Sequence, residues 1–183
     1  SSDVCSSDLN YIIDHTLIDH GVIVEPVTVE EAKLYCRVTN TIEDGLMAEL
    51  ITQSREAVEK ASGLSITPKI ATVWFTNLAT MFNFPFGPIV QFSSLTDNNG
   101  NVLDPAAYKL IGGDYPSLKY PAYADMKAVY STGMEVVPKE LKIAILDQIN
   151  YGYENRGMDV NDMGICEKTW RVCQRWTRTS PIL

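Results

Sequence analysis

Two apolar stripes of helical period bracket a stretch that reads as strands, and this arrangement constrains the fold more than any other feature of the chain. Downstream of Pro138, the residues Leu141, Ala144, Ile145, Gln148, Ile149, Gly152 and Tyr153 recur at i, i+3, i+4, i+7, i+8, i+11 and i+12. That spacing places them on one face of an α-helix, with Pro138 at its first position and Gly157 past its end. Upstream, Leu46, Leu50, Ala57 and Ala61, flanked by Met47, Ile51 and Val58, predict a second long helix that opens at Thr41–Asp44 and stops at Gly63. Thr41-x-x-Asp44 has the form of a capping box. So does Thr28-Val29-Glu30-Glu31, which predicts a short helix from Val29 to about Cys36.

Between the stripes the texture changes. Ile70–Thr76, Ile89–Leu95, Val102-Leu103, Tyr108–Ile111, Ser117–Tyr120 and Lys127–Ser131 are short β-prone runs, and Asp97-Asn98-Asn99-Gly100-Asn101 is a hairpin turn. Runs at this spacing predict a small antiparallel sandwich or barrel. The fold class expected is therefore α+β: a small bundle of three main helices, an antiparallel β module inserted between the second and third, and a C-terminal tail helix. The expected segments are a flexible N-terminal stretch over 1–23, a main domain over 24–159 with its β module at about 66–133, and a tail over 160–183. The first nine residues, SSDVCSSDL, resemble a translated sequencing adapter and are expected to take no part in the fold. Residues 10–25 read as a loop leading to a short strand at Val22-Ile23-Val24. Their echo Ile13-Asp14-His15 and Ile18-Asp19-His20 is too short to define a repeat.

Charge and chemistry narrow the function classes. The chain carries 15 Lys and Arg against 23 Asp and Glu, a net −8, the wrong sign for a general nucleic-acid binder. No apolar run approaches the ~20 residues of a membrane span, and no signal peptide is recognised, so an acidic, soluble, cytosolic globular protein is expected. The four cysteines, Cys5, Cys36, Cys166 and Cys173, form no C-x-x-C pair, and there are two histidines, His15 and His20. Neither a metal site nor a cofactor is expected. Phosphate-loop, dinucleotide, nucleophile-elbow and zincin motifs are all missing from the sequence. A His–Asp pair in 13–20 is the nearest thing to a general base with its orienting carboxylate, and a loop is the stronger reading of it. No catalytic residue is assigned.

The tail over 160–183 reverses the charge. Lys168, Arg171, Arg175 and Arg178 face only Asp162 and Glu167, and two of the chain's three tryptophans, Trp170 and Trp176, lie here. Arg and Trp together are the composition of interface anchors. A terminal helix docked on its own core through Ile165, Thr169, Val172, Cys173 and Trp176 is the equal alternative. On the second helix, Ser54, Ala57 and Ala61 are small enough for another backbone to approach.

The order and spacing of several strings resemble one family. Glu25-Pro26-Val27-Thr28-Val29-Glu30-Glu31-Ala32-Lys33 with Tyr35-Cys36-Arg37-Val38, the run from Glu43-Asp44 through Arg55-Glu56-Ala57-Val58-Glu59-Lys60-Ala61-Ser62-Gly63, Phe86-Gly87-Pro88-Ile89-Val90, Val137-Pro138-Lys139-Glu140-Leu141-Lys142 with Ala144-Ile145-Leu146, and Tyr153-Glu154-Asn155-Arg156 are similar to head–tail connector proteins of tailed phages. These are the adaptor or head-completion proteins of lambda-like siphophages and gene transfer agents, in their longer form with a β insertion. The likeness covers about 24–157; the tail departs from the family's usual ending.

The resemblance implies a non-enzymatic virion protein at the neck. It implies a ring, typically of twelve copies, beneath the portal protein, made in the host cytoplasm. Such a ring extends the DNA channel and docks the stopper or tail-completion protein, and DNA passes through without sequence-specific binding. An acidic surface suits that passage, because like charge keeps DNA from sticking. On this reading Trp170, Arg171, Arg175, Trp176 and Arg178 dock the portal, and Ser54, Ala57 and Ala61 pack against neighbouring copies. The alternatives are another neck component, a stopper or tail terminator, or a small cytoplasmic ligand-binding domain or enzyme. That last would use Trp74, Phe82, Phe84, Phe86 and Phe92 as a pocket lining, although core packing is the expected use of these rings.

Overall fold

The computed structural model describes residues 11–78, 81–156 and 164–177. Its helices and antiparallel sheets make an α+β fold, divided into two compact units. The described part of the first unit comprises residues 11–21, 68–78 and 81–133, and that of the second 22–67, 134–156 and 164–177.

The second unit is helical, with α1 (Val29–Cys36), α2 (Asp44–Ser62), α3 (Lys139–Glu154) and α4 (Glu167–Trp176). The capping box at α1 forms in full. Thr28 N–H donates to Glu31 Oε2 at 2.9 Å, and Glu31 N–H donates to Thr28 Oγ1 at 3.2 Å. The second box expected, at Thr41–Asp44, does not form. Glu43 occupies the cap of α2 without a side-chain cap bond. Its carboxylate instead accepts from Tyr153 Oη at 2.8 Å and Arg156 NH1 at 2.7 Å, tying the start of α2 to the end of α3. Gly63 closes α2 at φ 68, in the left-handed region where a Cβ is unfavourable. Pro138 sits one position earlier than expected, as the cap of α3. Gly157 lies outside the described residues.

The α3 stripe is buried as expected, but the buried face of α2 is shifted: of Leu46, Leu50, Ala57 and Ala61 only Leu50 is buried, and the flanking residues carry the packing. Met47, Leu50, Ile51 and Val58 of α2 are buried, as are Leu141, Ala144, Ile145, Ile149 and Gly152 of α3. A Cβ built on Gly152 would stand 3.1 Å from Leu50 Cδ2, so a side chain there would need Leu50 to give by a few tenths of an ångström. A buried ionic cluster runs through this packing. Arg55 Nε donates to Glu25 Oε2 at 2.9 Å and Arg55 NH1 to Glu59 Oε2 at 2.8 Å. The other oxygen of Glu59 accepts from the backbone N–H of Ile66 at 2.7 Å and of Thr67 at 3.1 Å. Where the chain re-enters the helical unit, Met134 N–H donates to Ile66 C=O at 3.2 Å.

The first unit holds two antiparallel sheets. One is four-stranded in the order β1 (Tyr11–Asp19), β2 (Lys69–Leu78), β7 (Tyr123–Thr132), β4 (Ile89–Asp97); the other is three-stranded in the order β3 (Met81–Asn83), β6 (Ser117–Lys119), β5 (Lys109–Ile111). Buried Phe75 of β2 stacks on Phe82 of β3, centroids 3.8 Å apart, and Phe84 meets both edge-on. Tyr130, fully buried, places its hydroxyl 2.6 Å from the Pro85 carbonyl and has its pKa raised by burial. Asp97 ties the hairpin by accepting from the N–H of Asn99 and of Asn101, each at 2.9 Å. The return strand at Val102 amounts to a single bridge to Thr96.

Two expectations are corrected here. Residues 11–19 are a β-strand paired with β2 in register from Tyr11–Thr76 to Asp19–Lys69, not part of a flexible or looped segment. Val22-Ile23-Val24, expected to be the strand, has no ladder partner among the described residues. A bulge between Ile12 and Asp14 breaks the alternation that would have announced β1.

Two stability outcomes follow. Arg55→Met leaves Glu59 buried without its cation and should cost about 3–5 kcal/mol, while Phe75→Ala empties the aromatic stack and should cost about 3–5 kcal/mol. Denaturant unfolding of each purified variant measures both.

Candidate assembly interface

The tail helix α4 begins at Cys166, whose N–H is held by Gln148 Oε1 at 2.8 Å. Thr169 and Cys173, one turn apart, are its buried residues. Thr169 Oγ1 donates to the Ala144 carbonyl of α3 at 2.8 Å, and Cys173 Sγ lies 3.9 Å from the Val58 carbonyl of α2. Burial pushes the Cys173 thiol up to about 11, which keeps it protonated and inert.

An electrostatic seam flanks this contact. Glu140 and Asp147, seven apart on α3, face Arg175 and Lys168, seven apart on α4. Arg175 NH2 bonds Glu140 Oε1, Trp176 Nε1 donates to Glu140 Oε2 at 3.1 Å, and Lys168 Nζ lies 3.8 Å from Asp147. The pairs run in opposite order, as antiparallel helices require. Asp147 also accepts from Tyr35 Oη of α1 at 2.8 Å, and chiefly through that bond the Tyr35 hydroxyl is pushed up to about 12. The seam was legible as two opposite-charge pairs at matched i, i+7 spacing, a signal that single-residue reading passes over.

The residues expected to dock the portal therefore divide. Arg175 and Trp176 are engaged with Glu140 of their own unit. Trp170 is exposed, and Arg171, also exposed, pairs with Glu167 one turn back on α4 at 2.5 Å. Arg178 lies outside the described residues. Of the residues expected to pack against neighbouring copies, Ser54 is buried inside its own bundle and offers no surface, whereas Ala57 and Ala61 are half-buried at its margin. The rings considered as a pocket lining are core or near-core: Phe82 and Phe86 are buried, and Phe84 and Phe92 pack against the same cluster. Trp74 lies under Lys127, whose Nζ stands 5.3 Å from the ring. His15 and Asp14 do not form an imidazole–carboxylate pair. Asp14 accepts from the His15 backbone N–H at 2.8 Å, and the His15 ring lies 4.9 Å from that of Phe86.

Cys36, Cys166 and Cys173 are free thiols, and the described residues hold no group of three His, Cys, Asp or Glu placed for a metal ion. None of the described helices is long and apolar enough to cross a membrane.

No protein-family model matches the chain, and neither does any curated protein. Its fold does match solved structures. The chain is similar to one in the neck of an empty GTA particle computed with C6 symmetry, at TM-score 0.64 and 18% identity, over 92% of this chain and 97% of that one. A second match, at TM-score 0.61 and 17% identity with the same coverage, comes from the virion of a native gene transfer agent particle. A third, from the neck of the native GTA particle computed with C12 symmetry, has TM-score 0.55 and 17% identity over 89% and 98%.

Arg175, and then Trp176, hold the Glu140 carboxyl below its ordinary 4.5. A lowered carboxylate stabilises the docked helix above the ordinary carboxylate range and loses that contribution as pH falls through the lowered value. The Trp176 indole N–H resonance should move over that acidic window, and Glu140→Gln should flatten the profile.

Proposed function

We propose that this chain is a structural neck protein of a tailed-phage or gene-transfer-agent particle, and within the neck the head–tail connector, or adaptor. Copies form a ring beneath the portal, most simply of twelve; the ring extends the DNA channel and docks the stopper or tail. The protein works by assembly and catalyses no reaction. Its place is the virion, after synthesis in the host cytoplasm, and DNA crosses the ring without being read.

The observation that carries this reading is the fold likeness along 92% of the chain to a chain of a GTA neck. The head–tail order of elements supports it independently: capped α1, long α2, β insertion, α3 and a basic aromatic tail. The acidic net charge of −8 suits a channel wall. For portal docking, the exposed pair Trp170 and Arg171 is the anchor the fold leaves available, because Arg175 and Trp176 hold α4 to its own bundle.

Mixing the full chain with its cognate portal should give a stacked ring visible by electron microscopy, and absence of any complex rejects the neck reading. Deleting the tail would also remove buried Thr169 and Cys173, so point variants are the better probe of the anchor. Trp170→Ala with Arg171→Ala should weaken portal binding by more than tenfold, a loss above about 1.4 kcal/mol, while leaving the unfolding transition in place.

A further inference from the structure

The four-stranded sheet treats its two edges differently. Across β1 and β2, the His20 N–H bonds the Pro68 carbonyl at 3.0 Å. Residues Ile18 and Thr16 are in the same phase, opposite Ile70 and Thr72. Alternation in an antiparallel pair then turns the N–H and C=O groups of His15, Leu17 and Asp19 away from β2. Among the described residues, the His15 N–H finds a partner there, the neighbouring Asp14 carboxylate at 2.8 Å. Among the described residues nothing pairs with the backbone of Leu17 or Asp19 on that side.

The opposite edge, β4, is covered by its own chain. Ile89 N–H bonds Asp114 C=O at 2.7 Å, Leu103 N–H bonds Leu95 C=O at 2.8 Å, and Asp97 N–H bonds Asn101 C=O at 3.0 Å. A nine-residue edge strand with neither Lys nor Pro, unpaired on its outer side among the described residues while its counterpart is closed, is a template for another strand.

The same chain carries a β-prone run that pairs with no strand among the described residues. Val22-Ile23-Val24 is a run of three β-branched residues, with Val22 82% and Val24 75% exposed, outside any ladder. On either side of it the chain is held within its own unit. His20 is bonded to Pro68, and Glu25 is held by Arg55 and by Thr52 Oγ1 at 3.0 Å. Ile13 and Ile18, 59% and 64% exposed, flank the open edge with matching apolar surface.

We propose that Val22–Val24 of one copy adds as a strand to the outer edge of β1 in the next copy, through the backbone groups of His15, Leu17 and Asp19. Donor and acceptor are different parts of the chain, so the contact is head-to-tail. Such contacts propagate and close into rings when the rotation allows, unlike a two-fold contact, which stops at a dimer. Backbone bonds supply the affinity, and the valines, with Ile13 and Ile18, exclude water from them. The inference deepens the neck reading and rests on it for its setting.

The test uses the full chain, isotopically labelled, titrated with a synthetic peptide of residues 20–26. The Leu17 and Asp19 amides should shift and gain exchange protection. A peptide with Val22→Asp and Val24→Asp should leave them unmoved, and Leu17→Pro in the protein should weaken binding about tenfold. No shift at millimolar peptide, or shifts on another surface, overturns the proposal.

Benzoylphenylalanine at position 22 of the full chain, irradiated alone and with portal, should link copies into a ladder beyond the dimer, with links at 13–19. Links only within a chain, a ladder that stops at dimer, or no links in either condition also overturns it. Copies that link this way yet never stack on the portal sink the neck reading alone. A Leu17→Pro ring that forms on the portal as well as the unaltered protein sinks this inference alone.

Discussion

The side chain of Arg55 is the point on which the helical unit turns. It lies in the interior of α2 with almost no exposure, and removing its charge from water costs several kcal/mol unless the site replaces the lost solvation. Glu25 and Glu59 do so, and each carboxylate does a second job. Glu25 lies just ahead of the α1 cap and also accepts from Thr52, fixing where the chain enters the bundle. Glu59 spends its other oxygen on the amides of Ile66 and Thr67, fixing where the chain leaves. One guanidinium thus sets both the entry to α1 and the exit from α2, and the apolar stripes of α2 and α3 then pack within those limits.

The helices were the legible part of the sequence, and the reason is local. Their period is written in consecutive turns, and the Thr28–Glu31 box needs nothing beyond four residues. The Thr41–Asp44 box had the same letters and does not form: its acid, Asp44, pairs instead with Lys33 of α1 at 2.6 Å. The β runs between the stripes were found because β-branched and aromatic residues cluster there. β1 was not, since an exposed edge strand with a bulge has little reason to alternate. The two sheets and their strand order were beyond reach, because pairing partners such as Lys69 and Thr132 are far apart in the chain.

The assembly surface was half legible. Composition marked the tail as Trp- and Arg-rich, but it could not say which of those residues the bundle would use for itself. Glu140 makes that division by engaging Arg175 and Trp176 together, which leaves Trp170 exposed. On α2 the same logic applies to small residues: Ser54 faces inward among the buried residues, and Ala57 and Ala61 sit at the margin. Smallness in a helix marks close approach without saying whether the approaching group belongs to the same chain, and Gly152, met by the Leu50 side chain, is a case where it does.

The bond from Met134 N–H to Ile66 C=O makes the departing and returning chains neighbours within the helical unit. Everything from 68 to 133 is then a loop whose ends already touch. Lengthening or trimming that loop changes closure entropy only logarithmically. The length between those ends is therefore open to variation, with one constraint: β2 must keep its pairing to β1, which reaches the sheet from outside the loop.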